Sequence, residues 1–124
     1  MLAYIGSPED RAIAKTVLNK AEIAFSDISH TMEENMVQYG ELGRYAFDRY
    51  YFGVYFDAVA ETHTIELLSA HIEDRHGYIF IEYSQEAIDA NGDSVSGCWN
   101  VVSLWEIEKD ENGNWNVISI KEHP

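Results

Sequence analysis

Three short turns divide residues 59–121 into four segments of strand-like composition, and this spacing constrains the fold more than any other feature of the chain. The turns read Arg75-His76-Gly77, Asn91-Gly92-Asp93 and Asn112-Gly113-Asn114. Each puts glycine where a positive φ is cheap, between runs rich in Ile, Val, Tyr and Trp, and the prediction is an antiparallel meander. Residues 78–83 are the clearest strand, with apolar side chains pointing to both faces, so both faces are expected to be covered at least in part. The third segment, about 96–108, sets Trp99, Val101, Ser103, Trp105 and Ile107 on one face, and places both tryptophans either in the core, which is favoured, or on an exposed sheet that pairs with another subunit. Cys98, Val102, Leu104, Glu106 and Glu108 fall on the other face, and Gly97 is the candidate bulge.

Upstream, Ser7-Pro8-Glu9-Asp10 is a helix start: a capping hydroxyl, a proline suited to the first helical position, and two acids at the positive end of the dipole. Ile13, Val17, Ala21, Ala24, Phe25 and Ile28 then recur at three- and four-residue spacing, one apolar stripe on a helix of roughly five turns. Thr31 with Glu34 has capping-box spacing, so a second, shorter helix is predicted from near Met32 to Gly40. The aromatics between Tyr45 and Phe56 crowd too closely for alternation. A short helix over 43–52 is favoured there, with Gly53 as the break and an extended segment from near Val54. The expectation is a single α+β domain, residues 1–124, with a helical part over about 7–52 and a meander over about 54–121. The helices pack on one face of a sheet made curved by its long strands.

This order of elements, and above all the closing pattern Leu104-Trp105-Glu106-Ile107-Glu108-Lys109, an Asn-Gly turn, then Trp115-Asn116-Val117-Ile118-Ser119-Ile120, resembles the NTF2-like superfamily, the cone-shaped fold also called cystatin-like. The likeness covers nearly the whole chain by element order and about the last quarter by motif. It implies a helix-and-curved-sheet cone. Members of that superfamily include isomerases and dehydratases with a polar pocket, transport and scaffold domains, secretion domains and toxin-neutralising immunity proteins. No functional residue carries over. The Tyr-and-Asp arrangement of ketosteroid isomerases has no local motif here, so Tyr45, Tyr50, Tyr55 and Asp57 receive none of its roles.

Charge separates the function classes. The 22 acidic and 8 basic residues leave a net −14. Residues 1–49 carry eight acids against five bases, net −3; residues 50–124 carry fourteen acids against Arg75, Lys109 and Lys121, net −11. A meander so charged repels nucleic acid and anionic membranes and attracts a basic protein, unless its acidity serves solubility alone. Glu82, Glu86, Glu106, Glu108, Asp110 and Glu111 form the candidate binding band, on neighbouring strands if sheet order follows chain order.

Catalytic motifs and phosphate loops are absent from the sequence, and no cofactor is implied. His63 is a weak general-base candidate, with Tyr55 or Asp57 as its partner. Asp89-Asn91-Asp93 and Asp110-Asn112-Asn114 begin like calcium loops, but Ser94 and Trp115 stand where glycine is required, and Asn100 and Lys121 where a bidentate Glu is required. Turn chemistry explains both. His71, Glu73 and His76 are too few and too local for a metal site, and none is expected. The lone Cys98 excludes an intramolecular disulfide. Met1 to Gly6 is too short for a signal peptide, which favours the cytoplasm, although the stub of a removed leader would look the same. The expected function is a non-catalytic, acidic, immunity- or inhibitor-type module that binds a basic protein. The alternatives are an isomerase or dehydratase using the cone pocket, and a secreted or membrane-tethered accessory domain. Homodimerisation through the sheet, common in the superfamily, has to contend with the net −11.

Overall fold

The computed structural model describes residues 6–122; residues 1–5, where the leader stub would lie, fall outside the described residues, as do 123, 124 and the side chain of Tyr55. Helices α1 (Pro8–Ser26) and α2 (Met32–Tyr39) are followed by a 3-10 turn (Gly40–Tyr45) and a π-helical turn (Arg49–Tyr55). Four strands complete the chain: β1 (Ala58–Glu73), β2 (His76–Asp89), β3 (Ser94–Lys109) and β4 (Trp115–Glu122). They pair antiparallel in chain order as an open sheet, and the helices cover one face of it, so the fold is α+β.

The start of α1 follows its sequence. Ser7 Oγ accepts the Asp10 amide at 3.1 Å, and Pro8 occupies the first turn. Ala21 and Ala24 of the stripe, with Ala14, which the stripe did not include, let the helix approach the sheet closely, while Val17 and Phe25 fill the space between. Ile28 lies beyond the helix end. There Asp27 joins α1 to α2, taking hydrogen bonds from the Tyr39 hydroxyl at 2.5 Å and from Ser29 and His30. Burial alone would raise the Asp27 pKa, but these bonds hold it at about 2. The same bond lifts Tyr39 to about 12. Thr31 and Glu34 form the expected capping box, and α2 ends at Gly40 with φ 61°.

Ile79, Ile81, Trp105 and Ile107 of the sheet's inner face are fully buried against α1. Each such side chain contributes about 1.5–3 kcal/mol relative to exposure, far above a surface ion pair. Trp115 joins them from β4, and its carbonyl accepts the Lys20 ammonium at 2.7 Å, tying α1 to the last strand.

Residues 42–60 depart from expectation. Gly53 is not a break, and the extended segment does not start near Val54. The π-helical turn runs through Gly53, and β1 begins at Ala58 after Asp57, whose φ is 55°. Aromatics at five-residue spacing account for this: Phe47 packs on Phe52 and Tyr51 on Phe56, the i, i+5 neighbours of a π turn.

The first hairpin turn is Asp74-Arg75, not Arg75-His76-Gly77. Glu73 pairs with His76, and Asp74 supplies the positive φ at 60°, which a short acidic side chain tolerates. Gly77 lies inside β2 for a different reason: a Cβ there would stand 2.4 Å from Ile72 Cδ1 and 2.7 Å from the His71 carbonyl.

The bulge expected at Gly97 sits instead at Asn100, φ 54°, between the pairs Tyr83–Val101 and Gln85–Cys98. One extra residue reverses the alternation, so Cys98 and Val101 both pack toward the core. Trp99 is thereby turned out of the core and is 56% exposed. The expectation that both tryptophans are buried therefore fails for Trp99, and the cause is this unrecognised bulge.

Trp115→Ala is expected to lower stability by about 3–5 kcal/mol in urea unfolding, and Trp99→Ala to stay within about 0.5 kcal/mol of the parent. The reverse order would overturn the placement of these two rings.

Candidate functional site

The sheet face opposite the helices carries the features that bear on function. Tyr78 and Phe80 of β2 point away from the core and are 43% and 42% exposed, so within this chain the helices cover only the other face. Leu104 stands opposite Phe80 on β3, and Leu68, Val102 and Ile118 extend the apolar row. Carboxylates are set among them. Glu66 lies directly across from Glu82, and Glu106 from Tyr78.

Sheet order places Glu82, Glu86, Glu106 and Glu108 on this one face, with Asp110 and Glu111 in the loop that follows β3. They are not equivalent. Glu106 accepts from His76 at 2.5 Å and from Ser119 at 2.9 Å, and the His76 bond holds its pKa below the ordinary carboxylate value. Glu86 takes the Trp99 indole N–H at 2.7 Å. Asp110 Oδ1 accepts the amides of Asn112 and Asn114, which lowers its pKa and builds the loop. Glu82, Glu108 and Glu111 have no hydrogen-bond or ion-pair partner among the described residues.

His63 lies on the inner side of β1 beside Phe25, with ring centroids 5.2 Å apart. Its partners are Glu61 at Nδ1, 2.9 Å, and Glu22 of α1 at Nε2, 2.5 Å. No contact joins it to Asp57, which is exposed at the start of β1. Burial pulls the imidazole pKa down, but the two carboxylates outweigh it and the net shift is upward. Each ring nitrogen faces a carboxylate, so neither is open to take a proton from a substrate.

The interior holds a second polar cluster. The Tyr45 and Tyr83 hydroxyls donate to the two oxygens of Glu122, at 2.6 and 2.7 Å, and Trp105 Nε1 donates to the Tyr45 oxygen at 2.9 Å. Burial first, and then the Glu122 hydrogen bond, drive both phenol pKa values well up, so they stay neutral donors. Phe25 stacks on Tyr45 at 4.6 Å and meets Tyr83 edge-on at 5.3 Å, so aromatic rings fill the space around this cluster. A groove of about 450 Å³ does lie between α1 and β4, lined by Val17, Leu42, Trp115 and Val117, but its ammonium, Lys20, is bound to the Trp115 carbonyl.

His71, Glu73 and His76 do not converge, since His76 turns to Glu106, and among the described residues no three His, Cys, Asp or Glu side chains gather as metal ligands. Asp89 Oδ1, like that of Asp110, accepts two amides of its own loop, Asn91 and Asp93. No described helix is long and apolar enough to cross a membrane. The site residue that sequence reasoning misplaced is Trp99. Its trace was the pair Cys98 and Val101, both apolar and on opposite faces of any unbroken strand.

No protein-family model matches the chain, and no curated protein matches it.

The raised pKa of His63 fixes a sign. Its contribution to stability is complete below the unfolded imidazole value and is lost as pH rises through the folded value. Relative to His63→Gln, the parent should therefore lose unfolding free energy as pH rises above the unfolded imidazole value of about 6.5, with that extra slope absent from the variant. Parallel slopes in urea titrations would show that the ring is not held as an imidazolium.

Proposed function

We propose that this chain is a non-catalytic binding module of NTF2-like architecture that docks a basic protein on the outer face of its sheet, as an immunity or inhibitor protein occludes its target. The observation that carries the reading is the uncovered face itself. Tyr78, Phe80, Leu68 and Val102 stand exposed among carboxylates, and Glu66 and Glu82 oppose each other across two strands. Like charges placed opposite one another destabilise a sheet, and a cation brought by a partner relieves them. A second copy using the same face would set acid against acid, which favours a basic partner over a homodimer. The order of two helices, an aromatic stretch and a closing meander supports the NTF2-like assignment. The ring-filled interior and the carboxylates that occupy both His63 nitrogens weigh against the isomerase or dehydratase alternative.

Glu82 and Glu108 have no role in holding the fold together, so Glu82→Lys with Glu108→Lys tests the face without unfolding it. A basic protein retained from the source lysate by the parent at low salt should be released both by added salt and by this double variant, with slowed association. Retention that is indifferent to both would overturn the proposal.

A further inference from the structure

Trp99 is an exposed tryptophan that the backbone goes out of its way to present. Asn100, a non-glycine residue, holds φ at 54°, and its amide is fixed by the Ser84 hydroxyl at 2.9 Å. Residue 97 has to be glycine: a Cβ there would approach the Gln85 carbonyl to 2.8 Å and the far edge of the indole, Cη2, to 3.1 Å. The ring therefore lies over Gly97 with its N–H on Glu86, and it remains 56% exposed. Left-handed backbone at a non-glycine residue persists where the surroundings enforce it, and such sites cluster at ligand contacts. A core role cannot explain these devices, because their effect is to keep the ring out of the core.

Beside the indole is a depression of about 220 Å³, lined on the outer face by Thr62, Thr64, Ser84 and Glu86. That is below the roughly 300 Å³ at which small-molecule pockets begin, and it suits the head of one side chain. Its wall is a π-face, its rim a carboxylate whose second oxygen is not used by Trp99, and its floor carries hydroxyl acceptors. A planar guanidinium matches all three, stacking on the ring while its forked donors reach oxygen.

Building on the docking face argued above, we propose that this depression receives one arginine of the basic partner, its guanidinium stacked on Trp99 and paired with Glu86. A compact ammonium would use the charge but not the plane.

The test uses the full chain labelled with ¹⁵N, whose three tryptophans give three indole N–H signals. A tetra-arginine peptide should move the Trp99 signal saturably and leave those of buried Trp105 and Trp115 in place; tetra-lysine should move it less. Glu86→Gln keeps an acceptor for the indole and removes the charge, and should weaken the arginine response about tenfold. Shifts confined to the amides of Glu82 and Glu108 would overturn this subsite while leaving the acidic-face reading standing, and no shift anywhere would remove both. An unchanged response in Glu86→Gln, or a Trp99 shift produced by a cello-oligosaccharide and not by the peptide, would also overturn the arginine assignment.

Discussion

The contact on which the two layers depend is Phe25, fully buried at the end of α1, stacked on Tyr45 and edge-on to Tyr83. Once that ring is in place the remaining interior groups have few choices. The two tyrosine hydroxyls converge on Glu122, and the Gln85 amide reaches the carbonyls of Phe25 and Tyr45 at 3.3 and 2.8 Å. Each of these buried polar groups thus has a partner inside the chain, which a low-dielectric interior requires. The packing that makes the fold stable also fills the space between Phe25, Tyr45 and Tyr83 with rings.

Of the five interruptions of the ladder, three shape the middle of the sheet's outer face. Register shifts fall between Leu67 and Ser69 on β1, at Asn100 on β3, and between Ile107 and Glu106 on β3 opposite Val117 and Ser119 on β4. Beside them Leu68, Trp99 and Ile118 are 36%, 56% and 42% exposed. Bulges are the device by which a strand re-aims a side chain without losing its pairing. Here all three turn an apolar group outward. Solubility alone would be served better by polar residues at those positions, and this is the pattern on which the proposed docking face rests.

The helices, their caps and the meander could be read from the sequence because each is specified locally: a serine before proline, a threonine three residues before glutamate, an Asn-Gly after an aspartate. Strand order followed from the tightness of the turns, and the acidic band followed from strand order. What could not be read was set by pairings distant in sequence. Whether Gly97 or Asn100 forms the bulge depends on what Ser84 and Glu86 offer from the neighbouring strand, and Gly77 looked like a turn glycine because its close neighbour, Ile72, lies across the hairpin. The π-helical stretch was hidden for the same reason, since its stability comes from ring pairs five residues apart and not from helix propensity. His63 was suspected, but its partner Glu22 comes from a helix 41 residues away.

The division of labour on the outer face follows from magnitudes. Exposed carboxylates gain little affinity each, because water and salt screen them, but together they raise the rate at which a cationic partner arrives. Glu106 and Asp110 contribute less to that field than a count of acids suggests, since His76 offsets the first whenever it is protonated and loop amides shield the second. Glu82, Glu108 and Glu111 have no such side-chain partner among the described residues. In the proposed docking, affinity comes from area removed from water, and the exposed rings of Tyr78, Phe80 and Trp99 are the aromatic anchors this face offers. On the proposed reading the face attracts with its acids and holds with its rings, and a partner both basic and apolar satisfies it on both counts.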